Sequence, residues 1–314
     1  MRVWKVISKQ KAVLAILLML VFMLFFKTNF YTAFNWLDML RSASIMEIVA
    51  FGVSVAVICG GCDLSVGGTL SLSGIITVTL INGGWPIWLA FIMSVLTGVV
   101  IGLVNGFLVV HQRTEPFIIT LGMGMLIKGI AQQMTDAHPV MSKVPSFMGI
   151  SNSALLGIPS LIIYMVILFS IFHYVMRYTS YGRNCYAIGG NYEVAQYSGI
   201  HVIKTKWAAF VISGMTAALA GVLLASRMNT GNSVFGDNTG MLVNCGVVIG
   251  GTSFAGGVGG IPQSFIGVFV VQLLTNCMKM LSVPGFYQRL AEGIIIVAII
   301  AFDCYFRKRK REQV

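Results

Sequence analysis

In the stretch GGCDLSVGG, residues 60–68, one carboxylate stands between two glycine pairs in a chain that is otherwise strongly apolar. Asp63 can cap a helix or serve in gating or coupling, and nothing in the spacing makes it a catalytic acid. For the cap, its carboxylate accepts from the N–H groups of Ser65 or Val66 at the positive end of the next helix, with Gly60 and Gly61 letting the backbone break before it. For the gate, an ionisable group near the middle of a membrane marks a pathway. The remaining reactive residues make no constellation. His111, His138, His173 and His201 lie far apart with no H-E-x-x-H pattern or nucleophile elbow, and Cys59 and Cys62 form a C-x-x-C without a second ligand pair. Six cysteines scattered through apolar segments read as small buried residues rather than a disulfide framework. No G-x-x-x-x-G-K-[ST] loop occurs, so ATP, if used, is hydrolysed by another chain. Charges also interrupt apolar runs at Glu47, Lys128, Lys279, Arg289 and Glu292. Lys279 and Arg289 flank an outer turn at Pro284-Gly285 and can reach headgroups, which leaves Glu47, Lys128 and Glu292 as the more informative three.

The elements that must position these groups are membrane helices. The 314 residues are 57% hydrophobic and only 10% charged, and the mean hydropathy is +0.86. About ten apolar runs approach the length a spanning helix needs: 13–31, 44–62, 64–81, 85–110, 117–134, 159–176, 207–226, 239–254, 263–281 and 286–305. Long runs exclude a β-barrel, whose strands alternate in short segments. The expected fold is therefore an all-α integral membrane protein of about ten transmembrane helices, a single transmembrane domain over 1–314. Asp63 falls at the cytoplasmic exit of the second run. The net charge of +11 is concentrated in three clusters: Arg2 to Lys11, the flanks Arg177, Arg183, Lys204 and Lys206 of a central loop, and Arg307 to Arg311. Ten spans put all three, and both termini, on the cytoplasmic side, which explains the charge without a nucleic-acid partner. The N-terminal stretch has a signal-like basic start but no small-x-small cleavage site, and reads as a retained anchor.

Within the loop 177–206, Gly189 and Gly190 make a turn, Asn191 is a good N-cap, Glu193 lies in the first helical turn, and Ser198-Gly199 ends the helix. Such a short helix is unstable alone and needs a surface to dock on. Elsewhere Gly98, Gly102 and Gly106 give α-helical packing a smooth face. Asn105 beside them either hydrogen-bonds across helices or, like Asn244, lines a substrate path with an uncharged amide suited to hydroxyls. The glycine-rich segment GGTSFAGGVGG, 250–260, loosely echoes GGCDLSVGG as the turn of an internal repeat.

GGCDLSVGG resembles the G-G-x-D-L-S-V-G signature of the permease subunits of ABC sugar importers of the ribose, galactose and xylose class. GLVNGFLVV from Gly102, PFIITLGM from Pro116, YGRNCYAIGGNYEVAQYSGIHV from Tyr181 and VVIGGTSFAGGVG from Val247 resemble further blocks of that family in the same order. The resemblance implies about ten helices per subunit, a second permease subunit (the same chain or a different one), two cytoplasmic ABC ATPases and an extracytoplasmic sugar-binding protein, in the bacterial inner membrane and among its lipids. It implies no cofactor bound by this chain and no covalent chemistry. It also makes 177–206 the element that seats in the ATPase, on Gly182, Arg183, Gly189, Gly190, Asn191, Glu193, Ala195, Ser198 and Gly199. Val194 departs from the usual Ala. Where the family carries an acidic E-L-D segment this chain has Gly240, Met241 and Leu242, with Asp237 as the nearest substitute. The alternative is an ion-coupled carrier of a small polar solute, using Asp63, Glu47 or Lys128. A scaffold protein would leave the glycine and loop motifs without a task.

Overall fold

The computed structural model describes residues 11–294 and 297, without 27, 28 and 113. Among these the elements in chain order are α1 (Lys11–Met23), α2 (Ala33–Ile58), α3 (Val66–Asn82), α4 (Ile87–Gly106), α5 (Pro116–Thr135), the one-turn α6 (Gly149–Asn152), α7 (Ser160–Tyr178), α8 (Ser180–Gly190), α9 (Tyr192–Tyr197), α10 (Val202–Met228), α11 (Thr239–Ile249) and α12 (Ile261–Met280). Residues 285–294 are helical again. Four two-residue strands fasten loops: β1 (Val140–Met141), β2 (Ala154–Leu155), β3 (Ile158–Pro159) and β4 (Thr230–Gly231), paired antiparallel as β1 with β4 and β2 with β3.

Among the described residues, six helices are long and apolar enough to cross a membrane: α2, α4 with its π-helical extension to His111, α5, α7, α10 and α12. α1, α3 and α11 are apolar but shorter. Each run expected between residues 44 and 281 has its helix. The last run and the basic cluster at 307–311 lie partly or wholly outside the described residues, as do Arg2, Lys5 and Lys9.

Several boundaries differ by more than a turn: α1 ends at Met23 rather than near residue 31, α10 begins at Val202 rather than 207, α11 ends at Ile249 rather than 254, and the start of α2 differs most. α2 begins at Ala33, not near Ser44, with the Thr32 side chain accepting from the Asn35 N–H at 3.3 Å. Its polar first turns read from sequence as a break, yet Asn35, Asp38 and Ser42 have partners on distant helices. Asn35 and Asn276 exchange amide hydrogen bonds at 3.1 and 2.9 Å, and Asp38 pairs with Arg227 at 2.6 Å. Interhelical amide and ion pairs of this kind let polar residues sit in a spanning helix.

α2 and α10 form the centre of the bundle, and α4, α5 and α7 lie on its outside, with most of their apolar windows unburied. α10 reaches its neighbours through small residues, with Ala209, Ser213, Gly214, Ala217, Ala218, Ala220, Gly221 and Ala225 all buried. The glycine stripe of α4 runs along it. A Cβ at Gly102 would stand 2.5 Å from the Phe210 carbonyl oxygen and 2.6 Å from Val211 Cα, while the Trp207 indole N–H donates to the Leu103 carbonyl at 3.0 Å.

Gly102→Leu is therefore expected to destabilise the bundle by about 2 kcal/mol or more, since the clash is with backbone that cannot rotate away. Gly122→Ala, whose Cβ meets nothing within 4 Å, is expected to stay within about 0.5 kcal/mol of the parent. Thermal unfolding of both variants in detergent checks the pair.

Candidate functional site: a buried carboxylate and the helices that reach it

Between α2 and α3 the chain turns at Gly60, with φ of 76°, and re-enters the bundle instead of leaving it. Asp63 is fully buried rather than placed at an exit. The reason is that residues from five helices surround its loop. Its Oδ1 accepts from the Ser65 N–H at 3.0 Å and from the Ser65 hydroxyl at 2.6 Å, and its Oδ2 accepts from the Ser213 hydroxyl of α10 at 2.7 Å. Asn105 of α4 donates to Ser65 Oγ at 2.8 Å, while its own Oδ1 is buried without a partner. On the opposite side Asn244 of α11 donates to the Asp63 carbonyl at 2.9 Å and to the Gly240 carbonyl at 2.8 Å. The Cys62 thiol donates to Asn244 Oδ1 at 3.3 Å. Thr120 of α5 joins the ring, donating toward the Cys62 carbonyl at 3.1 Å and accepting from the Leu64 N–H at 3.1 Å. Gly61 lies against the Phe210 ring, where a Cβ would be 2.9 Å from Cζ.

The loop therefore ties α3, α4, α5, α10 and α11 together through hydrogen bonds. Asn105 and Asn244, offered above as candidates for a substrate path, are buried members of this network and line none of the three clefts described below. Ser213 and Thr120 were not singled out from sequence. Each is one hydroxyl among many on an apolar helix, and only the helix register brings it to the Asp63 loop.

A second junction lies where α2 ends. Gly189 and Gly190 are the last residues of α8, not a turn, and Gly189 is needed for close approach: a Cβ there would collide with the Ile58 carbonyl oxygen and Gly257 N. Gly257 donates its N–H to the Ile58 carbonyl at 2.9 Å, and a Cβ on Gly256, φ 86°, would stand 2.9 Å from Gly60 Cα. The segment 250–260 thus packs on the Gly60 turn, and α8 packs on both. From α8 the Tyr186 hydroxyl donates to the Gly259 carbonyl at 3.0 Å. Burial raises the Tyr186 phenol above its ordinary pKa, with the Cys185 charge adding to it, so the group stays a donor.

Asn191 caps α9 with its side chain accepting from the Val194 N–H at 3.1 Å, Glu193 occupies the first turn, and Gly199 follows Ser198 with φ of 80°. Ala195 faces inward and is buried, whereas Val194 and Tyr197 are 60% and 90% exposed. α9 borders a cleft of about 600 Å³ lined by Tyr192, Glu193, Tyr197, Glu115, Lys206 and others. Gly182 is buried against the Met176 backbone, and Arg183 donates to Ser180 Oγ at 3.0 Å at the edge of a second cleft of about 270 Å³. A third cleft, also about 270 Å³, opens between α3, α5 and the segment before α11, where Lys128 meets Asp237 at 2.6 Å. Glu47 is buried in α2, with neither carboxylate oxygen hydrogen-bonded. The five described cysteines are free thiols.

The family model described as "Branched-chain amino acid transport system / permease component" matches residues 35–300. Among curated relatives, the ribose import permease protein RbsC of Haemophilus influenzae is 31% identical over 98% of this chain and 97% of its own. The L-arabinose ABC transporter permease protein AraH of Azospirillum brasilense is 32% identical over 98% and 91%. RbsC of Bacillus subtilis is 33% identical over 95% and 93%. No solved structure matches the chain.

Asp63→Ala leaves the Ser65 and Ser213 hydroxyls and the Ser65 N–H facing a void, and is expected to cost about 3 kcal/mol; Ser213→Ala, which removes one of three donors, is expected to cost about 1 kcal/mol. Equal melting temperatures for the two variants in detergent would show that the carboxylate does not hold the loop.

Proposed function

The chain belongs to the family of permease components of branched-chain amino acid transport systems, a multi-pass membrane protein, and on that premise we propose that it is the permease subunit of an ATP-driven, binding-protein-dependent importer of a monosaccharide, a pentose or a hexose. Support for the sugar comes from the relatives, described as ribose and L-arabinose permeases. Each is described as an import or ABC-transporter permease, and none as an ion-coupled carrier.

On this reading the six long helices, the shorter α1, α3 and α11, and the helix that starts near residue 285 make ten spans in the inner membrane of a bacterium. Both termini and the α8–α9 segment then lie in the cytoplasm, in keeping with the lysines and arginines around residues 177–206. Two permease subunits form the path, a sugar-binding protein delivers from outside, and the ATPases dock on α8 and α9. The chain itself binds no nucleotide and makes no covalent intermediate.

The single observation that carries the coupling is the glycine junction. α8 touches the end of α2 at Gly189, the Gly60 turn lies against Gly256, and three residues later Asp63 holds α3 to α10. A push on the docked helices is thereby delivered to backbone, with no side chain between to absorb it. ATP binding can favour one packing of the bundle only through a difference in contacts between two states, and α8–α9 is the element that would carry that difference. Gly182, Arg183, Asn191, Glu193, Ala195, Ser198 and Gly199 shape it, while Val194 and Tyr197 present its apolar surface.

Reconstitution in vesicles with the partner ATPase and binding protein tests the reading. Tyr197→Ala with Glu193→Lys is expected to lower uptake and sugar-stimulated hydrolysis together by about tenfold or more, since buried aromatic anchors at interfaces contribute about 2 kcal/mol or more, while insertion is unchanged. Uptake that persists without the ATPase and follows an ion gradient would refute the importer assignment.

A further inference from the structure

The cleft closed by Lys128 and Asp237 is not used by the coupling described above. Lys128 lies twelve residues from Pro116 and seven from Thr135, about 18 Å and 10 Å along the helix axis. α5 is an outer helix, with Phe117, Ile118, Met125, Leu126 and Ile130 exposed on the chain's own surface. The ion pair is open on that surface too, its side chains 40% and 41% exposed. Charges so placed cannot face hydrocarbon without a heavy cost, so the cleft must meet water or protein when the chain is in its membrane.

The chemistry inside is that of carbohydrate recognition. A hydroxyl both donates and accepts, and here an ammonium, a carboxylate, the side chains of Ser71, Ser233 and Asn238, and glycine backbone converge on about 270 Å³, close to the lower end of small-ligand pockets. Met125 and Met241, exposed by 72% and 42%, line the mouth with the apolar surface that a sugar's C–H face needs. The segment is held to α3 where Gly236 donates its N–H to Ser71 Oγ at 2.8 Å, so Asp237 is presented by a fixed backbone. It stands three residues before Gly240, where the resembled family carries its acidic segment and this chain has none.

We infer that this cleft is a monosaccharide-contacting face of the translocation path, and that the Lys128–Asp237 pair is a latch across it which sugar hydroxyls open by competing for both charges. The inference rests on the importer reading and names residues for it. It also sets which side of the chain faces the second permease subunit: the side of α5 and the segment 233–241.

The test uses the assembled importer in vesicles. Lys128→Met and Asp237→Asn are each expected to lower sugar uptake at least about tenfold, the loss of one charge-assisted hydrogen bond, with ATP hydrolysis in the absence of sugar retained. Separately, Met125→Cys is expected to react with a charged, water-soluble thiosulfonate above the wild-type background, and saturating sugar with its binding protein to slow that reaction. Wild-type uptake in both charge variants would overturn the inference, as would a Met125→Cys thiol that reacts only with a lipid-soluble reagent. Should the wild-type complex take up no pentose or hexose, the importer reading fails and the sugar contact with it, while the thiol reactivity without sugar still decides whether the cleft is aqueous.

Discussion

At Asp63 a carboxylate sealed from water is met by the protein hydrogen bond for hydrogen bond, and the helices around it are arranged to do so. Leaving such a group unpaired would cost several kcal/mol, a large part of the net stability of a domain. Ser65 and Ser213 satisfy the two oxygens, and Asn105, Asn244 and Thr120 satisfy the groups next to them. Because those residues belong to different helices, satisfying one anion fixes the relative positions of α3, α4, α5, α10 and α11. The loop is short and its donors are short side chains, so there is little slack in the arrangement.

Close packing around this network depends on the absence of side chains. α4 meets α10 through Gly98 and Gly102, and α8 meets the Gly60 turn through Gly189, so backbones approach without side chains between them, while Gly106 makes room for the Trp207 ring. Lipid supplies no hydrophobic drive for one apolar helix to leave it for another, and contact at this distance is one of the few sources of cohesion left. The same closeness makes the contacts stiff. On the proposed reading, a displacement at one end of α8 would be passed on to the Asp63 loop, as a mechanical link requires.

Much of this was legible in the sequence. Apolar runs located nearly every helix, since a spanning segment has to hide its backbone and fill about 20 residues with apolar side chains. Local signals worked at short range: Asn191 caps α9, Gly199 ends it, and the Ser65 N–H finds the Asp63 carboxylate two residues away. Where reading by local pattern failed, the cause was a distant partner. The first turns of α2 looked too polar for a helix because Asn276 and Arg227, which pair with Asn35 and Asp38, lie about two hundred residues on. Gly189 and Gly190 looked like a turn because glycine usually marks one, whereas here the first of them makes room for Ile58 and Gly257.

By itself the sequence determined the class of the protein, the places of its apolar helices between residues 44 and 281 and the short capped helix of the central loop, because hydropathy and capping act over a few residues along the chain. Only the tertiary structure decided that Asp63 is sealed inside rather than set at an exit, that Asn105 and Asn244 belong to its network, and that Lys128 finds Asp237. Those outcomes depend on which helix faces which and in what register, and a hydroxyl, an amide or an ammonium carries no mark in the sequence of the group it will meet.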